Sequence, residues 1–341
     1  MSDVARALLR AVASLRGPRR AALDEAIRAD APLPEAARAW CIESTLARYT
    51  PEAVEALVRT RWEGMRVRVI LAATVPLAPL RALALPLLEG AVSVTARPSQ
   101  RQPAVTQVVV EALLAQGLPV RVAHLSRYDG EAAVIAYGRD ETLATIRASL
   151  PPEATFEGHG HGFGVALLAD DAGDVAEDLA RDIAAYDQRG CLSPQVVLTT
   201  GEGARVAAAL HEALEARESL WPRAPLDLGL GASVAQWQGV QAALASRLWR
   251  GAKHGVSWWS EAKLQASPGA RNIAVVSVRD MAQARALLAP FAPLLSVVGT
   301  AGSVGDAWRP EGFAGRVAAV GAMQDPALDG PEDPRPALAA P

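Results

Sequence analysis

From residue 67 onward, short runs rich in Val, Ile and Ala alternate with segments of helical period, and this alternation narrows the possible folds more than any other feature. "VRVILAAT" reads as a strand, "PLRALALPLL" as a helix, "AVSVTAR" as a strand, "PAVTQVVVEALLAQG" as a helix and "PVRVAHL" as a strand. "AAVIAYG", "DETLATIRASL" and "HGFGVALLAD" continue the series as strand, helix and strand, and close the first half. A helix between two strands is a crossover, and crossovers join parallel neighbours. The expected fold class is therefore α/β, with a doubly wound nucleotide-binding sheet. Ligands of such sheets lie beyond the carboxyl ends of the strands, here near Thr74, Arg97 and Gly138.

The second half repeats the theme without repeating the sequence. Residues 174–189 read as one helix, with Asp174 as its cap, Val175, Leu179, Ile183 and Tyr186 on one face, and Gly190 as its stop. "QVVLTT", "ARVAAALHEALEARESL", "VAQWQGVQAALASRLWRG", "NIAVVSV" and "MAQARALLAPF" follow as strand, two helices, strand and helix. Before residue 60, "VARALLRAVASL" and "EAARAWCIESTLARY" carry helical spacing, and the chain closes on the proline-rich "DPALDGPEDPRPALAAP". The expected division is 1–170 for a helical lead-in with a dinucleotide-binding domain, 171–310 for a second α/β domain, and 311–341 for an extended tail.

The chain of 341 residues is long enough for two cores, and a formal net charge of -3 with no dense Lys/Arg run argues against nucleic acid or an anionic membrane as partner. The N-terminus lacks the apolar core of a secretory signal, and the apolar "VILAATVPLAPL" is short and broken by proline, so a cytoplasmic protein with no membrane span is expected. Cys41 and Cys191 stand far apart without metal-type spacing, which excludes a disulfide framework and a cysteine zinc site. Cys41, between Trp40 and Ile42 on a helix face, reads as packing.

Cys191, in "DQRGCLSPQ", carries two readings on its residues alone: a small packed side chain, or a thiolate nucleophile favoured by nearby Arg189 and opposed by the end of the preceding helix. Arg97 and Ser99, at the end of the strand "VTAR", suit either a nucleotide's ribose and phosphates or an exposed loop. Gly138 and Arg139 lead from a strand into a helix whose first turn suits a pyrophosphate, although Asp140 and Glu141 read equally as a simple cap. In "EGHGHGFG", His159 and His161 would share a strand face, but they lack a third ligand, so no metal is expected and close backbone approach explains the glycines better. His211 and His254 read as structural, and Trp237, Trp249, Trp258 and Trp259 either line an acyl pocket or pack.

Taken in order, these segments resemble the aldehyde dehydrogenase superfamily, and within it the long-chain acyl-CoA reductases of bacterial bioluminescence operons. "RDIAAYDQRGCLSPQVVL" is similar to that family's nucleophile segment, "VIAYGRDETLATIRASLPPEATFEGHGHGFGVALL" to its cofactor-side strands and helix, and "GRVAAVGAMQDPALDGPEDPRPAL" to its closing segment. The resemblance covers residues from about 65 to 341, behind a helical lead-in shorter than the family's. It implies an aldehyde dehydrogenase-like fold in which Cys191 takes the acyl group of a CoA or carrier thioester and a nicotinamide dinucleotide reduces it to an aldehyde. It places Thr74 where the family has an oxyanion-donating asparagine, and Phe156, beside Glu157, where the superfamily has its water-activating glutamate. The superfamily's Lys-Pro-Ser-Glu element appears here as Arg97, Pro98, Ser99 and Gln100. The neutral Gln100 and the cationic Arg97 favour NADPH, with NADH open.

The implied activity is NADPH-dependent reduction of an acyl-CoA or acyl-carrier thioester. The alternatives are an acyltransferase using the same acyl-cysteine, and a non-catalytic partner protein of the same fold. A homodimer or a pathway-enzyme partner is left open.

Overall fold

Five strands of the first half pair in parallel: β1 (Arg66–Ile70), β2 (Ser93–Arg97), β3 (Val120–Val122), β4 (Ala133–Tyr137) and β5 (Thr155–His159), in the spatial order β3-β2-β1-β4-β5. The computed structural model describes residues 1–72, 75–101, 103–123 and 130–328, and the chain divides into two units, Met1–His161 and Gly162–Pro326. In β1, Val67 and Val69 are fully buried, as expected of a strand covered on both faces. Arg68 between them is buried too, its charge met by Glu131 at 2.8 Å. The crossovers are α5 (Ala78–Leu88) after β1, α6 (Pro103–Leu114) after β2, and α7 (Asp140–Ala148) after β4. From β1 the chain builds β2 and β3 on one side and then β4 and β5 on the other, so the order reverses between β1 and β4.

The lead-in holds four helices rather than the two read from the sequence, Asp3–Arg16, Arg20–Asp30, Glu35–Ala47 and Pro51–Glu55. Asp30, at the end of the second, accepts hydrogen bonds from the backbone N–H groups of Ala104 (3.2 Å) and Val105 (2.7 Å), and so caps α6 from another element.

The second unit contains β6 (Phe163–Leu168), α8 (Ala176–Ala184), β7 (Pro194–Thr199), α9 (Gly203–Leu220), α10 (Leu228–Leu244), β8 (Arg247–Arg250), β9 (Gly255–Trp259), β10 (Asn272–Ser277), α11 (Met281–Leu288), β11 (Leu295–Ala301) and β12 (Arg316–Ala319). Its sheet runs β12-β11-β6-β7-β10-β9-β8, parallel except for the antiparallel edge pair β8 and β9. Alternation sorts its side chains. Val165, Leu167, Val196, Leu198, Ala274 and Val276 fill one core, while Ala166, Leu168, Val197, Ile273 and Val275 fill the other. Trp237 and Trp259 belong to the first of these cores.

Several expectations are corrected. "HGFGVALLAD" does not close the first half: Thr155–His159 closes that sheet, and Phe163–Leu168 lies between β11 and β7 in the second. The helix read over residues 174–189 spans Ala176–Ala184, with Asp174 Oδ1 accepting from Ala176 N at 3.2 Å, because the backbone beyond Ala184 changes hand. "SRLWRG" is not a helical extension but contains the edge strand β8. Part of the expected tail, Arg316–Ala319, pairs with β11 as β12. Nothing in the apolar period of a short strand says which sheet it joins, and that choice is made by packing.

Candidate functional site

The first unit carries a cleft of about 730 Å³ beyond the carboxyl ends of β1, β2 and β4, where the strand order reverses. Ile70 and Leu71 reach it from the end of β1, Arg97 from β2, Tyr137 from β4, and Glu141 and Thr142 from the first turn of α7. The Pro98, Ser99 and Gln100 side of the cleft begins where Leu71 N–H binds Arg97 O at 3.0 Å, a link that ties the Arg97 loop to β1. A guanidinium, a hydroxyl, an amide and a carboxylate therefore face one groove of nucleotide size, a donor and acceptor set that fits ribose hydroxyls and phosphates.

Arg97, Ser99 and Gln100 are thus brought together, whereas Gly138 and Arg139 stand apart from them. Gly138 donates its N–H to His159 O (3.1 Å), and a Cβ there would meet Thr142 only at ordinary contact distance, 3.8 Å. Arg139 precedes α7 in extended backbone and is exposed. Neither lines the cleft. Thr74 lies outside the described residues.

The glycine-histidine run does not present two histidines on one strand face, because β5 ends at His159. His159 stacks on Tyr137, with ring centroids 4.5 Å apart and planes 11° from parallel, and its Nε2 lies 2.9 Å from Glu157 Oε1. Glu157 also pairs with Arg61. Burial pushes the Glu157 carboxyl up, but the His159 hydrogen bond and the Arg61 charge outweigh it and hold the group below its usual range. The exposed His161 donates its backbone N–H to Asp140 Oδ1 at 3.0 Å. Among the described residues, no group of three or more metal-type side chains converges.

The second unit carries Cys191, which is exposed, while Cys41 is buried. Cys191 lies before β7, at the amino end of its sheet, on a turn closed by Ser193 N–H to Gly190 O at 3.0 Å. The preceding helix ends at Ala184, so its carboxyl terminus is not adjacent to the thiol. Between them, Tyr186 (φ 54), Asp187 (φ 52) and Gln188 (φ 60) are all left-handed. Left-handed backbone costs a residue with a Cβ roughly 1–2 kcal/mol, so such a run persists only where its surroundings impose it.

Those surroundings are polar and buried. Gln188 Nε2 donates to Pro194 O (2.9 Å) and Gln195 Nε2 donates back to Gln188 O (3.3 Å), closing the loop that bears Cys191. Gln324 Nε2 donates to Ser193 Oγ (3.1 Å) and to Asp182 O (3.2 Å), which anchors the loop to α8. Arg271 donates through Nε to Asp187 Oδ1 (2.9 Å), and its Nη2 lies 2.8 Å from the same oxygen. Arg189, expected beside the thiol, has its guanidinium 3.6 Å from the other oxygen, Oδ2. Asp187, Gln188, Ser193, Arg271, Asn272 and Gln324 are none of them more than 5 % exposed, whereas Cys191, in the loop they hold, is exposed. Sequence reasoning missed them; the available signal was a polar Asp-Gln-Arg run where a helix was expected to end.

His211 and His254 do have partners: each other, with Nδ1 of the first 2.8 Å from Nε2 of the second. No helix among the described residues is long and apolar enough to cross a membrane.

The family model described as acyl-CoA reductase (LuxC) matches residues 59–327, most of the chain. A comparison with curated proteins found no match. Among solved structures, an NAD-dependent benzaldehyde dehydrogenase from Corynebacterium glutamicum superposes with a TM-score of 0.72 at 14% identity, covering 94% of this chain and 83% of that one. A 1-pyrroline-5-carboxylate dehydrogenase from Thermus with bound NAD gives 0.70 at 16%, covering 96% and 77%. An indole-3-acetaldehyde dehydrogenase from P. syringae, in complex with NAD+, gives 0.71 at 14%, covering 94% and 76%. The two-unit α/β architecture is thus similar to that of aldehyde dehydrogenases.

Proposed function

The chain belongs to the acyl-CoA reductase family, and from that membership we propose that it reduces an acyl thioester to an aldehyde through an acyl-enzyme on Cys191. The Cys191 thiolate attacks the thioester carbonyl carbon, the new C–S bond forms, and the CoA or carrier thiolate leaves. The exchange replaces one thioester by another, so little free energy separates reactant from intermediate. The oxyanion formed on the way requires donors, of which the Cys191 backbone N–H is one. Arg97, Ser99 and Gln100 would hold a nicotinamide dinucleotide, which would supply the hydride that reduces the acyl group. The Cys191 sulfur then leaves as thiolate and the aldehyde departs.

The observation that carries the proposal is the contrast at Cys191: an exposed cysteine in a loop held by the buried Asp187, Gln188, Ser193, Arg271 and Gln324. A plain packing cysteine has no need of such a foundation. The cleft supports the cofactor half, since Arg97 and Ser99 suit phosphate and ribose and Gln100 adds no negative charge. These two features favour NADPH. Glu157 is tied to His159 and Arg61, and an acyl reduction needs no carboxylate to activate water.

Intact-mass measurement after mixing with an acyl-CoA tests both half-reactions. The expected result is an acyl adduct that is absent in Cys191→Ala and disappears from the unaltered protein on adding NADPH, with aldehyde released. An adduct that survives NADPH and passes its acyl group to an added amine or alcohol would establish a transferase instead. Adduct formation by Cys191→Ala would overturn the proposal.

A further inference from the structure

We infer that Asp187 and Arg271 are positioning residues for Cys191: their buried ion pair holds the left-handed backbone that sets the turn bearing the exposed thiol. The inference rests on Cys191 being the acyl-accepting nucleophile proposed above.

Two separate stretches of left-handed backbone meet here. One is Tyr186–Gln188; the other is Ala270 (φ 52) and Arg271 (φ 63), entered through Gly269 (φ 79). Ala270 N–H donates to Asp187 O at 3.2 Å, and the Arg271 guanidinium grips Asp187 Oδ1, so the two stretches hold each other by main chain and side chain together. Arg271 is itself fixed by a second carboxylate, Glu218 on α9, 2.8 Å from its Nη1. Glu218 is fixed in turn by the backbone N–H of Arg223, at 3.0 and 3.1 Å to its two oxygens, and by Lys253 at 3.2 Å. Asp187 is thereby referred to α9 and to the start of β10, rather than to the loop it belongs to.

The consequence reaches Cys191 through a short path. Gln188 follows Asp187, donates to Pro194 O, and also lies 3.5 Å from Asn272 O, next to Arg271. The chain from Gln188 to Pro194 is thus pinned at both ends, and Cys191 stands at its tip. Asp187 has one oxygen on Arg271 and the other facing Arg189, so it is occupied as an anchor and does not serve as a base. Breaking the pair removes what opposes the strain of the left-handed run. The backbone then relaxes toward common conformations and carries the thiol off its line of attack.

The test uses the full chain with Arg271→Met, Arg271→Lys and Asp187→Asn, each checked for folding by circular dichroism and thermal melting. Two rates are measured: single-turnover acylation by an acyl-CoA, and alkylation of Cys191 by iodoacetamide as a function of pH. Misplacing a reacting atom by about 1 Å costs on the order of 100-fold, so Arg271→Met is expected to slow acylation by that order with the half-saturating acyl-CoA concentration changed less than about threefold. Arg271→Lys, which keeps a charge but loses the fork, is expected to regain part of the rate. A folded Arg271→Met protein that acylates at the unaltered rate overturns the inference. Should Arg271→Met fail to fold, Asp187→Asn, nearly the same shape, carries the comparison with the same outcomes. Should the unaltered protein form no acyl adduct, the Cys191 reading fails by itself. The alkylation profile then decides the positioning role: a shifted profile in the variants supports it, and an unchanged one ends it.

Discussion

Gly164 donates its backbone N–H to Ser193 O at 3.1 Å, and a Cβ added to Gly164 would stand 2.8 Å from that same oxygen and 2.9 Å from Leu192 O. The start of β6 approaches the turn that bears Cys191 here as closely as the two backbones allow. Gly164→Ala must push Leu192 and Ser193 away, and both are backbone atoms that cannot rotate aside. The expected cost is about 1–3 kcal/mol of stability, read by urea denaturation, together with slower acylation at Cys191 in the folded protein. Gly138→Ala, where the added carbon finds 3.8 Å of room, is the matched control and should change neither.

The cleft is lined by a cation, Arg97, and an anion, Glu141, and on the proposed function they are expected to act in opposite directions on cofactor choice. Arg97→Gln should weaken NADPH more than NADH, by about tenfold, because only NADPH carries a 2′-phosphate for the guanidinium. Glu141→Gln should shift the preference toward NADPH by removing the exposed carboxylate from the same groove. Fluorescence titration with both dinucleotides measures each ratio. Equal weakening of the two by Arg97→Gln would remove Arg97 from the 2′-phosphate.

Two buried groups, His254 and Asp182, shift stability against acid in opposite directions. Burial first, and then the His211 charge, lower His254 from 6.5 to about 4, so the unfolded chain takes up this proton before the folded one does. That contribution is intact above pH 6.5 and is lost as the pH falls toward 4. Burial raises Asp182 from 3.8 to about 6 against the hydrogen bonds of Gly321 and its neighbours, so the folded chain gains stability as the pH falls from 6 to 3.8. Each effect is about 3 kcal/mol at most. His254→Gln should therefore melt higher at pH 4.5, relative to pH 7, than the unaltered protein does. Asp182→Asn should show the opposite change.

Arg68 and Glu131 form an ion pair inside the first unit, 2.8 Å apart and both nearly inaccessible to water. Removing one partner leaves the other charge buried, which costs about 3–5 kcal/mol. Glu131→Gln is expected to lose that much in chemical denaturation, and Arg68→Met with Glu131→Met together to lose less than either alone. Losses in the double variant equal to the sum of the two would show that the residues do not depend on each other.

Periodicity is a local property, and what depended on it was legible in the amino-acid sequence: the alternation of strands and helices, and the strand end at Arg97 with Ser99 and Gln100 beyond it. Element boundaries were less legible where a local pattern has two outcomes. The sequence offers one strand here, "HGFGVALLAD", yet "TFEGH" closes one sheet and "FGVALL" enters another, because a strand's sheet is chosen by its neighbours. The histidine run misled for a related reason: His159 finds its partners in Tyr137 and Glu157, and His161 turns away once the strand has ended.

The sequence by itself determined the layered α/β architecture and the residue types available to a thioester and a nucleotide, since side-chain period and turn chemistry act over a few residues. Only the tertiary structure decided that Tyr186, Asp187 and Gln188 turn left-handed, a conformation none of them favours in isolation. The reason lies 84 positions along the chain, where Arg271 supplies the charge that keeps Asp187 in place in the segment leading to Cys191.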